Sequence, residues 1–296
     1  MPLQQDNNET GSRLMRRASY ASLAVAISLI SIKIVAFFMT GSVAMLSSLI
    51  DSTLDLLASV INYIAIRQAL VPADKEHRFG HGKAEALAGL AQAAFISGSS
   101  VFLIFESVDR LLHPVTLQHG AIGIGVMVIS LTLTIALVAY QRSVIRRTGS
   151  LAVRADAFHY ITDISMNLGV IAALVLTFYF DLILADPLIA LAIAVYIMYA
   201  VWTIAVQSLN QLMDRELPDE ERERIEAIAT NTDDVIAIHD LRTRTSGRKI
   251  FIELHLEMDG EMNLYQAHRI ADDAHRRLQE AYPEADILIH QDPAEI

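Results

Sequence analysis

Two carboxylates, Asp51 and Asp55, stand four residues apart inside a long apolar stretch, and His159 and Asp163 repeat that interval in a second one. A spacing of i, i+4 puts both members of a pair on one helical face, a turn apart. Ionisable groups within a membrane helix are costly and normally face a partner or an aqueous cavity. If the two pairs converge, three carboxylates and one imidazole form a four-ligand nitrogen/oxygen set, and its chemistry is metal coordination. A tetrahedral set of this kind suits zinc first; iron, manganese, cobalt and cadmium also fit. Such ligands hold metal only when deprotonated, so metal and protons compete for them. His159 is the natural switch, because imidazole titrates nearest physiological pH. The simpler reading is helix-end capping, or a charge pair with Lys33, the one cation within the first apolar stretch.

Two further groups offer metal ligands. Asp74, His77 and His81 fall within eight residues between apolar stretches. One carboxylate and two imidazoles can meet around zinc there, or can equally form a solvated loop. His239, His255, His268, His290 and Asp292 are scattered through the tail, where spacing shows only that each element offers a ligand. His113, His119 and His275 read as solvated. Gly80 and Gly82 bracket His81 without a phosphate-loop pattern, and no HExxH motif supports hydrolysis. A closed four-ligand site suits carriage better than catalysis, and an anionic tetrad holds its ion too tightly for a passive channel.

The elements that must position these residues are membrane helices. The chain has 296 residues, 53% hydrophobic and 19% charged, which is too apolar for an ordinary soluble domain. About 20 apolar residues cross a hydrocarbon core, and six segments qualify, at 18–39, 43–66, 86–112, 120–141, 152–180 and 184–208. Basic residues cluster on one side of them: Arg13, Arg16 and Arg17, then Arg67, Lys75, Arg78 and Lys83, then Arg142, Arg146, Arg147 and Arg154. The other side shows Arg110 alone. Both termini are therefore expected in the cytoplasm. The polar start lacks the pattern of a signal peptide, so the first span is expected to be retained.

With no cysteine in the chain, any metal site must use His, Asp, Glu or backbone oxygen. Residues 215–296 carry 20 Asp+Glu against 10 Lys+Arg, nearly the whole net charge of -11. That acidic tail argues against nucleic acid as a partner and is comfortable with cations. Its pattern predicts an α-β-β-α-β domain, with helices on one face of an antiparallel sheet. Pro218 sits near the start of its first helix, Ser246-Gly247 forms the hairpin turn, and Pro283 stops the second helix. The expected divisions are a cytoplasmic segment at 1–17, a six-helix all-α transport domain at 18–212 and a small α+β cytoplasmic domain at 213–296.

The stretches GSVAMLSSLIDSTLD, PADKEHRFGHGKAEALA, VRADAFHYITD, LMDRELPDEER, HDLRTRTSG, LHLEM and IHQDP resemble the cation diffusion facilitator family, in its bacterial zinc and ferrous-iron efflux branch. Together with the six spans they cover nearly the whole chain. The resemblance implies a homodimeric metal/proton antiporter of the bacterial inner membrane, with a metallochaperone-like cytoplasmic domain. It places the transport site at Asp51, Asp55, His159 and Asp163, a pattern the family associates with zinc and cadmium. It implies a second site at Asp74, His77 and His81. A two-metal site in the tail would use His239, His255, His268, His290 and Asp292, with the Asp292 carboxylate bridging. There Zn2+ would be a structural ion as well as the transported substrate. Lys83 and Asp214 match an ion pair that ties the third span to the membrane-tail junction at the dimer interface.

Overall fold

The computed structural model describes residues 2–40, 43–112, 121–180, 182 and 184–294. His113 and His119 lie outside them. Six long helices come first: α1 (Pro2–Thr40), α2 (Val43–Ala69), α3 (Lys83–Leu112), α4 (Ala121–Thr148), α5 (Leu151–Phe180) and α6 (Ala185–Leu212). Within lipid a helix satisfies every backbone polar group internally, which is why apolar runs of this length take that form. Among the described residues, five stretches are long and apolar enough to cross a membrane: Thr10–Met39, Ser48–Ala69, Lys83–Leu112, Gly125–Thr148 and Pro187–Leu212. The remaining expected segment, 152–180, is α5, 30 residues long. Helix α1 runs back through the polar start of the chain to Pro2, so the amino-terminal segment is continuous with the first span.

Helix α3 packs chiefly on α6, and α1 on α2 and α4. Helix α5 touches all five of the others. Its Asp156, His159, Tyr160 and Asp163 are buried or half-buried against those neighbours, while apolar side chains such as Phe102, Phe105, Tyr199 and Trp202 stand exposed on the outside of α3 and α6. An exposed apolar surface of that kind is what a lipid-facing bundle presents.

The tail follows as α7 (Asp219–Thr230), β1 (Ala237–Ser246), β2 (Lys249–Met258), α8 (Leu264–Ala281) and β3 (Asp286–Pro293). The sheet order is β1-β2-β3. The expectation of an antiparallel sheet is corrected here: β1 and β2 are antiparallel, but β2 and β3 run parallel. The cause is the connection. A short turn joins antiparallel neighbours, whereas the α8 crossover returns the chain to the same end of the sheet. The hairpin turn is also shifted by one residue. Ser246 pairs with Lys249, leaving Gly247-Arg248 as the two-residue loop. Gly247 has φ 60, as the first central position of a tight hairpin turn demands.

Along β2, Ile252, Leu254, Leu256 and Met258 are buried against Ile225 of α7 and Ala271, Ala274 and Leu278 of α8. The intervening Glu253, His255 and Glu257 take the opposite face by the period of two. Both tail helices thus cover one face and leave the other for polar residues.

Candidate metal centres

The first centre lies where α2 approaches α5. Asp55, His159 and Asp163 each offer a ligand atom, and the three atoms lie within 4.8 Å of one another. His159 Nε2 and Asp55 Oδ1 share a hydrogen bond of 3.1 Å, with side-chain exposures of 12% and 21%. The pair is therefore shielded without being sealed. Three members of the expected tetrad meet directly. Asp51, a turn away on α2, is exposed and outside that cluster. Helix α2 meets α5 over a short crossing, so one turn of α2 makes the close approach. Lys33 does not neutralise Asp55 by direct contact. Its ammonium donates to Ser52 Oγ at 2.6 Å and to the Ser48 carbonyl at 3.1 Å, within electrostatic range of Asp51, Asp55 and Asp163.

Helix α5 is anchored from its first turn. Glu85 of α3, 3% exposed, accepts from Ser150 Oγ and from the Ala152 amide at 3.3 Å. A carboxylate at a helix amino terminus satisfies amides that have no intrahelical partner. The side chains of Ser22, Ser59 and Tyr160 join α1, α2 and α5 through mutual hydrogen bonds of 2.9–3.3 Å.

The loop residues also converge. Asp74 Oδ1 lies 3.5 Å from His77 Nδ1, and Asp74 Oδ2 lies 3.4 Å from His81 Nε2. The two imidazole rings are 4.5 Å apart. Backbone amides of His77 and Glu76 donate to Asp74 at 2.6 and 2.9 Å. The His77 amide above all holds the Asp74 carboxyl below the usual carboxylate range. His81 is mostly buried, at 8% side-chain exposure, and its Nδ1 has no hydrogen-bond partner. One carboxylate and two imidazoles, one of which keeps a ring nitrogen without a partner, fit a zinc-like ion.

In the tail, the strand register sets three histidines side by side. His239 pairs with His255 across β1-β2, and His255 with His290 across β2-β3. Their ring centroids are 4.9 and 4.6 Å apart. Asp292 gathers them: its carboxylate lies 2.7 Å from His255 Nδ1, 3.1 Å from His290 Nε2 and 3.2 Å from His239 Nε2. The hydrogen bond from His255 leads in holding the Asp292 carboxyl below the usual carboxylate range. One carboxylate touching three imidazoles fits a bridging ligand. His268 is the exception among the expected five. It belongs to α8, which packs on the other face of the sheet, and its exposed ring lies 3.5 Å from Asp272.

Lys83 Nζ lies 3.0 Å from Asp214 and donates to the Leu212 carbonyl at 3.2 Å, so it closes the end of α6. Arg244 of β1 reaches the same carboxylate at 3.5 Å.

Three residues near these centres escape a reading by spacing. Asp240 joins His239 and His255 in a cluster because a bulge between His239 and Arg242 turns it there, with φ 49. Nothing local in the sequence announces that bulge. Asp156 is legible as an acid within an apolar run but has no ligand type four residues away, and Glu85 follows His81 by four residues but opens α3 rather than the loop.

Residues 19–213 match the family described as cation efflux transmembrane domain, and residues 217–294 match the cation efflux protein, cytoplasmic domain. The cation-efflux pump FieF of Salmonella choleraesuis (strain SC-B67) is 47% identical over 98% of this chain and 96% of its own length. FieF of Salmonella newport (strain SL254) is 46% identical over the same shares. A solved structure of CzrB in its Zn form is 37% identical, covering 27% of this chain and 92% of that one, with a TM-score of 0.25. At that score it carries no argument about fold.

Proposed function

We propose that this chain, which belongs to the cation diffusion facilitator family of cation-efflux proteins, exports a divalent transition metal from the cytoplasm in exchange for protons. Membership makes it a membrane transporter of cations rather than an enzyme. Zinc is the first candidate cargo, with cadmium and ferrous iron behind it. The observation that carries the reading is the meeting of Asp55, His159 and Asp163 within 4.8 Å, on two helices of an apolar bundle.

The cycle follows from the ligands. Deprotonated Asp55, His159 and Asp163 take the cation from the cytoplasmic side, and Asp51 completes the set as the crossing of α2 and α5 tightens. The bundle then rocks so that the same site opens outward. Protons displace the metal there, and the protonated form returns. Export is inward-proton driven because each ligand carries metal or proton, not both. The protein works in the bacterial inner membrane as a homodimer, with both termini in the cytoplasm. The match of the tail to the family's cytoplasmic, dimer-forming domain supports that assembly. Residues 18–212 form the transport domain, preceded by the cytoplasmic segment 1–17, and 213–296 the cytoplasmic domain. The tail residues His239, His255, His290 and Asp292 hold structural zinc, and His268, the fifth expected ligand, lies on the other face of the sheet within one protomer. Asp74, His77 and His81 hold a further ion at the membrane surface. The Lys83–Asp214 pair fixes the junction between the two domains.

The test is metal uptake into inside-out vesicles under an imposed proton gradient, with zinc, cadmium, iron and manganese compared. Asp55→Ala and His159→Ala are each expected to abolish zinc–proton exchange. Exchange that persists in either variant refutes the assignment of the tetrad.

A further inference from the structure

Asp156 lies three residues before His159 on α5 and is 1% exposed. Its Oδ2 accepts from Gln141 Nε2 of α4 at 2.7 Å, while Oδ1 is sealed from solvent and makes no hydrogen bond. Ser22 of α1 and Asn62 of α2 border the same carboxylate. The titratable groups that act on it most are His159 and Tyr160 on its own helix; α1, α2 and α4 bring the neutral Ser22, Asn62 and Gln141 to it. Asp156 Oδ1, Asn62 Oδ1 and Gln141 Oε1 are all buried acceptors without a partner. Buried polar groups are almost always paired, and an ionised carboxylate with no cation against it is the costliest of exceptions. A single proton on Asp156 converts one of these acceptors into an O–H donor.

We propose that Asp156 is a proton-binding site separate from the metal ligands, which gives up its proton when a cation occupies the neighbouring site. The inference rests on the exchange reading above. Three residues of helix separate Asp156 from His159, a rise of about 4.5 Å. A divalent ion on His159 and Asp163 therefore acts on Asp156 across a low-dielectric interior, where its field favours the ionised carboxylate. The Asp156 O–H bond breaks, the proton leaves to water, and the carboxylate is left to accept from Gln141, Ser22 and Asn62. When the cation departs, one proton returns and restores the acid. Linkage makes the effect reciprocal: the proton weakens metal binding by the same factor that metal weakens proton binding. A carboxylate that never touches the cargo thus adds a proton to the stoichiometry.

The experiment counts protons released per chain when the purified full-length protein is saturated with zinc in weakly buffered solution, for the parent and Asp156→Asn. The parent is expected to release about one proton more than the variant, with zinc still bound by both. Equal release from the two overturns the proposal while leaving exchange itself intact. A parent that releases no protons and shows no zinc–proton exchange overturns the exchange reading, and this one with it. If Asp156→Asn does not fold, Gln141→Leu decides. Loss of the amide donor should move the acid limb of the exchange profile to higher pH, and an unmoved limb refutes the assignment. Exchange that follows sodium concentration instead of pH would assign the oxygen-lined chamber to that ion and also refute it.

Discussion

Replacing Asp55 with Asn changes one charge and almost no volume. The amide oxygen can still accept from His159 Nε2, which lies 3.1 Å from Asp55 Oδ1, so the empty fold should survive. What is lost is an anionic ligand. Structural zinc sites of four ligands are worth about 10–16 kcal/mol, or roughly 3 kcal/mol for each ligand on an equal division. At about 1.4 kcal/mol per decade, that share corresponds to on the order of 100-fold in affinity. The retained amide oxygen is a weaker ligand, not an absent one, so Asp55→Asn should weaken zinc binding between about 10-fold and 100-fold. The assay is competition of purified full-length protein against a fluorescent zinc chelator. It is best done in a background with His239→Ala and His290→Ala, so that tail ligands do not mask the membrane site. The same variant should lose most zinc–proton exchange in vesicles. Unchanged affinity together with unchanged exchange would mean that the metal is carried elsewhere, and the close approach of α2 to α5 would then be a packing feature only.

Two further outcomes follow from the tail and its junction. A Cβ at Gly82 would run into the backbone of Ser246, at the base of the hairpin turn; overpacking of this kind typically costs about 1–3 kcal/mol. Gly82→Ala should therefore loosen the hairpin from α3, read as faster hydrogen exchange at 246–249, and unchanged exchange there would refute the contact. Asp273 on α8 is bonded by Arg276 first and Arg277 next, which holds its carboxyl below the usual range. A depressed carboxyl stabilises the fold fully above its unfolded value of about 4 and loses that contribution as pH falls through the depressed value. The parent should thus protect α8 amides better than Asp273→Asn at neutral pH, with the gap closing in acid; a gap that widens in acid reverses the sign and sinks the argument.

How much of this was legible in the sequence depends on the range of each interaction. The i, i+4 pairs on α2 and α5 are local, and helix geometry alone puts each pair on one face. Alternation along β2 is equally local, and the period of two by itself sends His255 away from Ile252, Leu254 and Leu256. Pairing between elements is not local. The parallel register that sets His290 beside His255 depends on the α8 crossover, where strand pattern alone predicts an antiparallel neighbour. His268 shows the same limit. Its residue type suits a ligand, but within one chain its helix packs on the apolar face of the sheet, burying Ala271, Ala274 and Leu278, so His268 stands apart from the other four.

The membrane site shows the limit most sharply. Spacing treats Asp51 and Asp55 as equals, because both lie on one face of α2. Crossing helices do not. Two straight helices that cross approach closely over about one turn and then diverge, so one carboxylate sits at the crossing and the other a turn, about 5.4 Å, along the axis. A change in crossing between α2 and α5 is then the smallest motion that exchanges three gathered ligands for four. Helix α5 is suited to that role, since it touches every other helix of the bundle and is held at its first turn by Glu85. On the cycle proposed above, Asp51, which the crossing leaves outside the cluster of Asp55, His159 and Asp163, is the residue that would separate a static metal site from a moving one.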